Sequence, residues 1–190
     1  MSQIVRKGEE LNEVSLKSFL LENQLISSFN NELLVEQYSN GFSNLTYLLK
    51  IDNKELVLRR PPKGAIKYGH DMGREYKVLT GLNKGFKKAP TAHVFSNDNS
   101  IIGAPFYIME KIEGIILSRK EASSRNISSE EYSKIAQNWL NTFVELHELD
   151  FNTIGLSDLG KPQGYVERQV RNWSKQYLNA ATEEIPESEK

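Results

Sequence analysis

The sequence predicts an α+β fold, with an antiparallel sheet in the N-terminal part and helices in the remainder. Three short segments rich in β-forming residues follow one another across tight turns, as in an antiparallel meander. A helical segment and two more strands come next, and only helical spacing follows residue 114. Because strands and helices are segregated along the chain, we expect five antiparallel strands with one packed helix, not a parallel sheet with crossovers.

The first three strands are predicted at residues 33–38, 45–51 and 55–60. Residues 39–44 are rich in Ser, Asn and Gly and form the first turn, and residues 52–54 form the second. Pro61 and Pro62 end the third strand, because proline has no N–H to donate to a sheet. The two remaining strands are predicted at residues 91–95 and 105–111, on either side of a turn at 96–99.

Apolar spacing predicts a short helix through Leu16 and Leu20, followed by helices at residues 72–82, 131–149 and 165–178. Ser128 and Glu131 form a capping-box pattern that starts the long third helix. On this helix Trp139 and Phe143 have the spacing of core residues. His147, near its end, is interpreted as a packed helix-end residue rather than a catalytic one.

Composition narrows the class of protein. The 190 residues are 38% hydrophobic and 26% charged, which is ordinary for a globular protein able to bury a core. The net charge of −1 does not indicate nucleic-acid or membrane binding. Residues 50–88 nevertheless carry eleven Lys or Arg against four Asp or Glu. This local excess suits a phosphate-bearing ligand, with a solvated basic face as the alternative.

The chain has no cysteine, which excludes disulfides, thiolate catalysis and cysteine-type zinc sites. No apolar run approaches the ~20 residues of a membrane helix, and the polar first ten residues do not resemble a signal peptide. We therefore expect a cytoplasmic protein without a nucleic-acid or membrane partner.

The turn at residues 39–44 is a candidate phosphate-binding turn. In such a turn, backbone N–H groups and Ser or Asn side chains face phosphate oxygens. Ser43, Asn44 and Thr46 are the candidate ligands here, and Gly41 allows close approach. The spacing is not G-x-G-x-x-G, so an ordinary hairpin remains the alternative.

Arg59 and Glu75 are a candidate ion pair. Arg59 lies near the end of the third strand, where its guanidinium can bind phosphate. Glu75 lies one turn into the following helix and can hold Arg59 over the phosphates. Both residues can also be ordinary solvated surface residues, which is the alternative.

The segment after the fifth strand is a candidate linker that ends at Gly114. Such a linker can offer backbone groups to the edge of adenine. We predict this role for the Glu110 carbonyl and the Ile112 N–H, behind the bulky side chain of Met109. A simple edge strand is the alternative.

The order of these features matches the N-lobe of a protein kinase. The chain resembles the aminoglycoside phosphotransferase/choline kinase superfamily, in the branch that includes the kinase-like domain of acyl-CoA dehydrogenase fusion proteins. The resemblance runs from about residue 10 to about residue 180. It is carried by residues 41–47, 57–62, 74–76, 106–110, 146–147, 155–156 and 160–169.

The resemblance implies a protein-kinase-like fold with a nucleotide-binding N-lobe at residues 1–113 and the start of a helical C-lobe at 114–190. It implies ATP (or GTP) and Mg²⁺ as cofactors. The reaction would transfer the γ-phosphoryl group to a hydroxyl of a small molecule, with a hydroxy-acid or its CoA thioester favoured by the branch. Arg59 would bind the phosphates.

The His-Gly-Asp catalytic loop of the family is not found in this sequence, since none of His70, His93 and His147 precedes Gly-Asp. We therefore name no catalytic base and no metal ligand. The chain is interpreted as part of a longer enzyme or as a shortened relative, and its intact motifs favour the first. We expect it to be inactive alone and to self-associate through uncovered apolar faces. A non-catalytic pseudokinase that senses nucleotide or binds a partner is the alternative.

Overall fold

A computed structural model of the chain describes residues 2–39, 43–64, 70–161 and 163–180. The strands are β1 Ser2–Gln3, β2 Leu34–Tyr38, β3 Leu45–Ile51, β4 Lys54–Arg60, β5 Ala92–Ser96 and β6 Phe106–Glu110. The helices are α1 Glu13–Glu22, α2 Met72–Leu82, α3 Asn99–Ile102, α4 Arg119–Ser124, α5 Ser129–His147 and α6 Tyr165–Ala180. The chain forms two compact units, Met1–Leu156 and Ser157–Lys190.

The strands form one antiparallel sheet in the order β1-β2-β3-β4-β6-β5. All five predicted strands are confirmed, and β1 adds two residues at one edge. The tight turn between β3 and β4 is made by Asp52 and Asn53, with φ of 54° and 57°. Asp and Asn tolerate this left-handed backbone better than other non-glycine residues.

The two faces of the sheet have different partners, because successive side chains of a strand point to opposite faces. One face packs against Leu16 and Leu20 of α1, both fully buried. This face contributes Leu45, Tyr47, Leu49, Ile51, Leu56, Leu58, Phe106 and Ile108 to the core. The sequence predicted α1 without a packing partner, and the structure provides this one.

The opposite face of the sheet packs against α2. Tyr76 of this helix stacks on Phe95, with ring centroids 5.8 Å apart, and lies 6.5 Å from Tyr107. The helix begins where predicted, and the carboxylate of its N-cap, Asp71, accepts a hydrogen bond of 2.9 Å from the Arg74 N–H. Capping satisfies one of the backbone donors that every helix start leaves free.

The last turn of α2 packs closely on the segment that follows α5. A Cβ at Gly81 would come within 2.7 Å of the Leu156 side chain. This packing explains why the first compact unit extends to Leu156. The predicted lobe boundary near Gly114 does not coincide with this division and stays a prediction.

Two short helices were not predicted. Residues 96–99 were expected to form a plain turn, but Asp98 caps α3, which ends at Gly103 with φ of 81°. Ser118 similarly caps α4. Helices of four and six residues are too short for apolar spacing to reveal them.

The long helix α5 begins at the predicted capping box. The Glu131 N–H donates to Ser128 Oγ at 3.2 Å, and the Ser128 N–H donates to Glu131 Oε2 at 2.8 Å. The expectation that Trp139 and Phe143 are core residues is wrong for the described chain, where they are 66% and 45% exposed. Their rings stack on each other, 5.5 Å apart. Apolar spacing identified the face of the helix but not whether anything covers it.

Helix α6 confirms the last predicted helix. It starts after Gly164, whose φ is 63°, and the Arg168 guanidinium donates to the carbonyls of Lys161 and Gln163. Within the described ranges, no helix combines the length and apolar character needed to cross a membrane.

Candidate functional site

Three neighbouring strands bring the candidate site together. Thr46 pairs with Arg59 across β3 and β4, and Arg59 pairs with Tyr107 across β4 and β6. Cross-strand partners lie on the same face, so these three side chains form a row on the face that packs against α2.

The predicted contact between Arg59 and Glu75 is present. Arg59 Nη1 lies 3.3 Å from Glu75 Oε2, and each side chain is about a third exposed, at 30% and 31%. An ion pair this exposed contributes only ~0–1 kcal/mol to stability. Its main effect is therefore on where the guanidinium points.

Glu75 is held by further partners. Asn44 Nδ2 donates to Glu75 Oε1 at 2.8 Å, and the Tyr107 hydroxyl donates to Glu75 Oε2 at 2.9 Å. Burial raises the pKa of Tyr107 far above its ordinary value, so its hydroxyl remains a donor. Behind Asn44, His70 Nδ1 lies 2.7 Å from Asn44 Oδ1. Both carboxylate oxygens of Glu75 are thus engaged.

Sequence reasoning missed Tyr107 and His70. Both act on residues far away in the chain, with 32 residues separating Tyr107 from Glu75 and 26 separating His70 from Asn44. Only the register between β4 and β6, which pairs Tyr107 with Arg59, could have pointed to Tyr107. That register could not be predicted, because the sequence of neither strand shows that β4 pairs with β6 rather than with another strand.

Arg59 keeps one donor free. Its Nε atom is buried and has no hydrogen-bond partner among the described residues. Leaving a buried polar group unpaired costs ~1–3 kcal/mol. The Arg59 side chain is nevertheless 30% exposed as a whole, and a guanidinium is a good partner for phosphate oxygens, so the residues present fit a phosphate-bearing ligand.

The three predicted turn ligands differ in availability. Ser43 is exposed and Thr46 is half-buried, so both side chains can be reached. Asn44 is only 4% exposed, and both groups of its amide already face protein partners. Gly41 lies outside the described residues. Contacts of these side chains with phosphate stay predictions.

Two of the predicted linker residues, Met109 and Glu110, are the last residues of β6, and Ile112 follows the strand. Met109 pairs with Val57 of β4 and is half-buried. The Glu110 carboxylate accepts from the Thr91 N–H at 2.9 Å, which lowers the pKa of that carboxyl. The Ile112 side chain is 54% exposed, and its N–H has no partner among the described residues. Recognition of adenine by these residues stays a prediction.

A separate cavity of about 880 Å³ lies near the ends of β4 and β5 and the start of α2. Its lining includes Arg60, Lys63, His70 and Phe95. None of the eight predicted binding residues, all of which the structure describes, lines it. Among the described residues, no group of three His, Asp or Glu is arranged to hold a metal ion.

Comparison with known proteins gives a consistent result. A model of the phosphotransferase enzyme family matches residues 34–190. Acyl-CoA dehydrogenase family member 11 of Rattus norvegicus is 34% identical over 177 residues, which are 90% of this chain and 22% of that protein. Family member 10 of Mus musculus is 32% identical over 187 residues, 98% of this chain and 17% of that protein.

A solved structure matches as well. A Ralstonia eutropha protein described as an aminoglycoside phosphotransferase has a TM-score of 0.71 and 30% identity, over 93% of this chain and 50% of that chain. These matches confirm the resemblance drawn from the motifs and the protein-kinase-like fold class. The chain spans about a fifth of the length of the curated relatives it matches.

Proposed function

The chain belongs to the phosphotransferase enzyme family, and we propose that it is the nucleotide-binding part of a kinase acting on a hydroxyl of a small molecule. The observation that carries this proposal is Arg59. Its guanidinium is held by Glu75 at 3.3 Å, and its side chain stays 30% exposed, so a ligand can reach it. Phosphoryl transfer depends mainly on positioning and charge neutralisation, and a guanidinium in this position suits both.

The proposed ligand is ATP or GTP. Arg59 would bind the phosphates while Glu75 holds it in place, with Ser43 and Thr46 close to the phosphate-covering turn. The backbone of Glu110 and Ile112 would meet the edge of the base beside Met109. The names of the curated relatives favour a hydroxyacyl compound as the phosphate acceptor.

Magnesium would neutralise the charge of the phosphates and orient them. The described residues do not provide a set of ligands for it. The catalytic base and the metal ligands are therefore proposed to come from the His-Gly-Asp region of the family, which this sequence does not contain.

Calorimetric titration of the 190-residue protein with MgATP and with MgGTP tests the proposal. We expect one of them to bind, and Arg59→Met to weaken its binding at least about tenfold, which corresponds to about 1.4 kcal/mol. Lys87→Met is the matched control, because it removes a positive charge from an exposed position of the same basic segment. No binding by the wild type, or equal losses in the two variants, would contradict the proposal.

We expect this chain to show no phosphotransferase turnover with any small alcohol, because its sequence lacks the His-Gly-Asp motif and its described residues offer no set of metal ligands. Reading the open frame beyond codon 190 separates the enzyme from a nucleotide-sensing pseudokinase. A following His-Gly-Asp-x-x-x-x-Asn motif supports the enzyme, and an immediate stop codon supports the pseudokinase.

A further inference from the structure

The hydrogen bonds around Glu75 form a chain with a defined direction. An ionised carboxylate can only accept, so Asn44 must present its NH₂ group to Glu75. The amide oxygen of Asn44 then faces His70 and can only accept as well. It follows that His70 carries its proton on Nδ1, because two acceptors cannot form this contact.

This chain connects elements that are distant in sequence. Asn44 immediately precedes β3, on the C-terminal side of the candidate phosphate turn. His70 immediately precedes Asp71, the N-cap of α2, and Glu75 lies in the first turn of that helix. The start of β3 is therefore fastened to the start of α2 at two points, one before the helix and one inside it.

The burial of Asn44 argues against a merely incidental contact. Its side chain is 4% exposed, and each of its two amide groups has a protein partner. A buried polar network in which every donor and acceptor has a partner is rigid, and it fixes one arrangement of the groups that it joins. A side chain committed in this way is not free to bind a phosphate oxygen.

We propose that Asn44 and His70 are positioning residues that hold Glu75, and through it Arg59, rather than ligands of the nucleotide. His70 orients Asn44, Asn44 fixes one oxygen of Glu75, and the other oxygen is left for Arg59 and Tyr107. The inference rests on the proposed function only for what Arg59 binds. The hydrogen-bond chain itself can be tested without a nucleotide.

The tautomer of His70 is the first test. Long-range ¹H–¹⁵N correlation spectra at about pH 8, where histidine is neutral, distinguish the Nδ1–H from the Nε2–H form. We expect Nδ1–H in the wild type and a shift towards Nε2–H in Asn44→Leu, which removes the acceptor. A wild-type His70 in the Nε2–H form overturns the proposal.

The second test is a set of variants read by the Arg59 Nε–H resonance and by hydrogen exchange over α2. We expect His70→Leu and Asn44→Leu to shift that resonance and to speed exchange at the start of the helix. His70→Asn keeps a donor in the place of Nδ1 and should restore both readouts. The double variant His70→Leu/Asn44→Leu should show the same resonance shift and exchange rates as Asn44→Leu alone, because the effects of substitutions within one hydrogen-bond network do not add.

MgATP affinity then connects the hydrogen-bond chain to the site. If the wild type binds MgATP, we expect its dissociation constant to rise about fivefold in His70→Leu and to recover in His70→Asn. If the wild type does not bind MgATP, the proposed function fails while the tautomer and exchange results still decide the positioning role. If the Arg59 Nε–H resonance is unchanged in His70→Leu and Asn44→Leu, or if the effects of the two substitutions add in the double variant, the positioning role is overturned even when nucleotide binds.

Discussion

At the scale of single residues, two adjacent arginines show how the pleat of a strand separates functions. Arg59 faces the candidate site, whereas Arg60 points to the opposite face and is only 3% exposed. Arg60 donates to the Tyr47 hydroxyl at 3.2 Å and to the carbonyls of Ile102 and Glu9 at 3.1 and 3.2 Å. The sequence pattern selected Arg59 as the binding cation. It could not reveal that Arg60 fastens Glu9, since that contact spans 51 residues.

Arg60→Met should lower the free energy of unfolding by about 1–3 kcal/mol, because it leaves the Ile102 carbonyl without its donor, while the Glu9 carbonyl keeps the Tyr47 hydroxyl. Urea denaturation measures this change. Arg59→Met is the matched control, with a change of at most ~1 kcal/mol because its ion pair is partly exposed. Equal losses in the two variants would show that the faces of the strand are assigned wrongly.

The carboxylate of Asp52 provides a prediction of pH dependence. It accepts from the Ser27 N–H at 2.7 Å, from Ser27 Oγ at 2.8 Å and from Asn31 Nδ2, and these bonds lower its pKa. A carboxyl whose folded-state pKa is lowered stabilises the fold above its unfolded-state pKa. That contribution disappears as the pH falls through the folded-state value.

Asp52→Asn should therefore reduce stability at neutral pH and reduce the loss of stability on acidification. Thermal unfolding midpoints at about pH 7 and about pH 3 measure both effects. Glu22→Gln, an exposed change at the end of α1, should leave the acid dependence close to that of the wild type. An identical acid dependence in Asp52→Asn would contradict the prediction.

At the scale of elements, the sequence predicted where helices and strands begin and end better than it predicted which elements pack against each other. Strand β3 and helix α2 were predicted to the residue, and turn residues mark both limits of β3. The apolar face of α5 was recognised, but spacing alone cannot identify a covering element. The pair Arg59–Glu75 was predictable from strand and helix positions. The roles of His70 and Tyr107 required the register of non-consecutive elements.

Gly81 tests the packing at the end of α2. Alanine normally stabilises a helix interior by about 1 kcal/mol relative to glycine. Here its Cβ would meet Leu156 atoms at 2.7 Å, so we expect Gly81→Ala to destabilise the protein by about 1–3 kcal/mol instead. In a Leu156→Ala background the same change should be neutral or stabilising. Stabilisation in the wild-type background, measured by urea denaturation, would contradict the close packing.

At the scale of the whole molecule, the described chain combines a well-packed sheet with a long helix that has no buried residue. The sheet is covered on one face by α1 and on the other by α2, while α5 leaves large apolar side chains exposed. Apolar patches beyond a few hundred Å² are uncommon on soluble monomers. The sequence predicted this face of α5, and the structure adds that Trp139, Leu140 and Phe143 are each at least 45% exposed.

We predict that this exposed face makes the 190-residue protein self-associate, because association removes apolar surface from water. Sedimentation velocity over a wide concentration range should show a reversible shift to larger species. Trp139→Glu should favour the monomer by placing a charge within the apolar face. Gln137→Glu introduces the same charge at another exposed position of α5 and should leave association unchanged. Monomers at every wild-type concentration would refute the prediction, and equal dissociation by both variants would indicate a general charge effect.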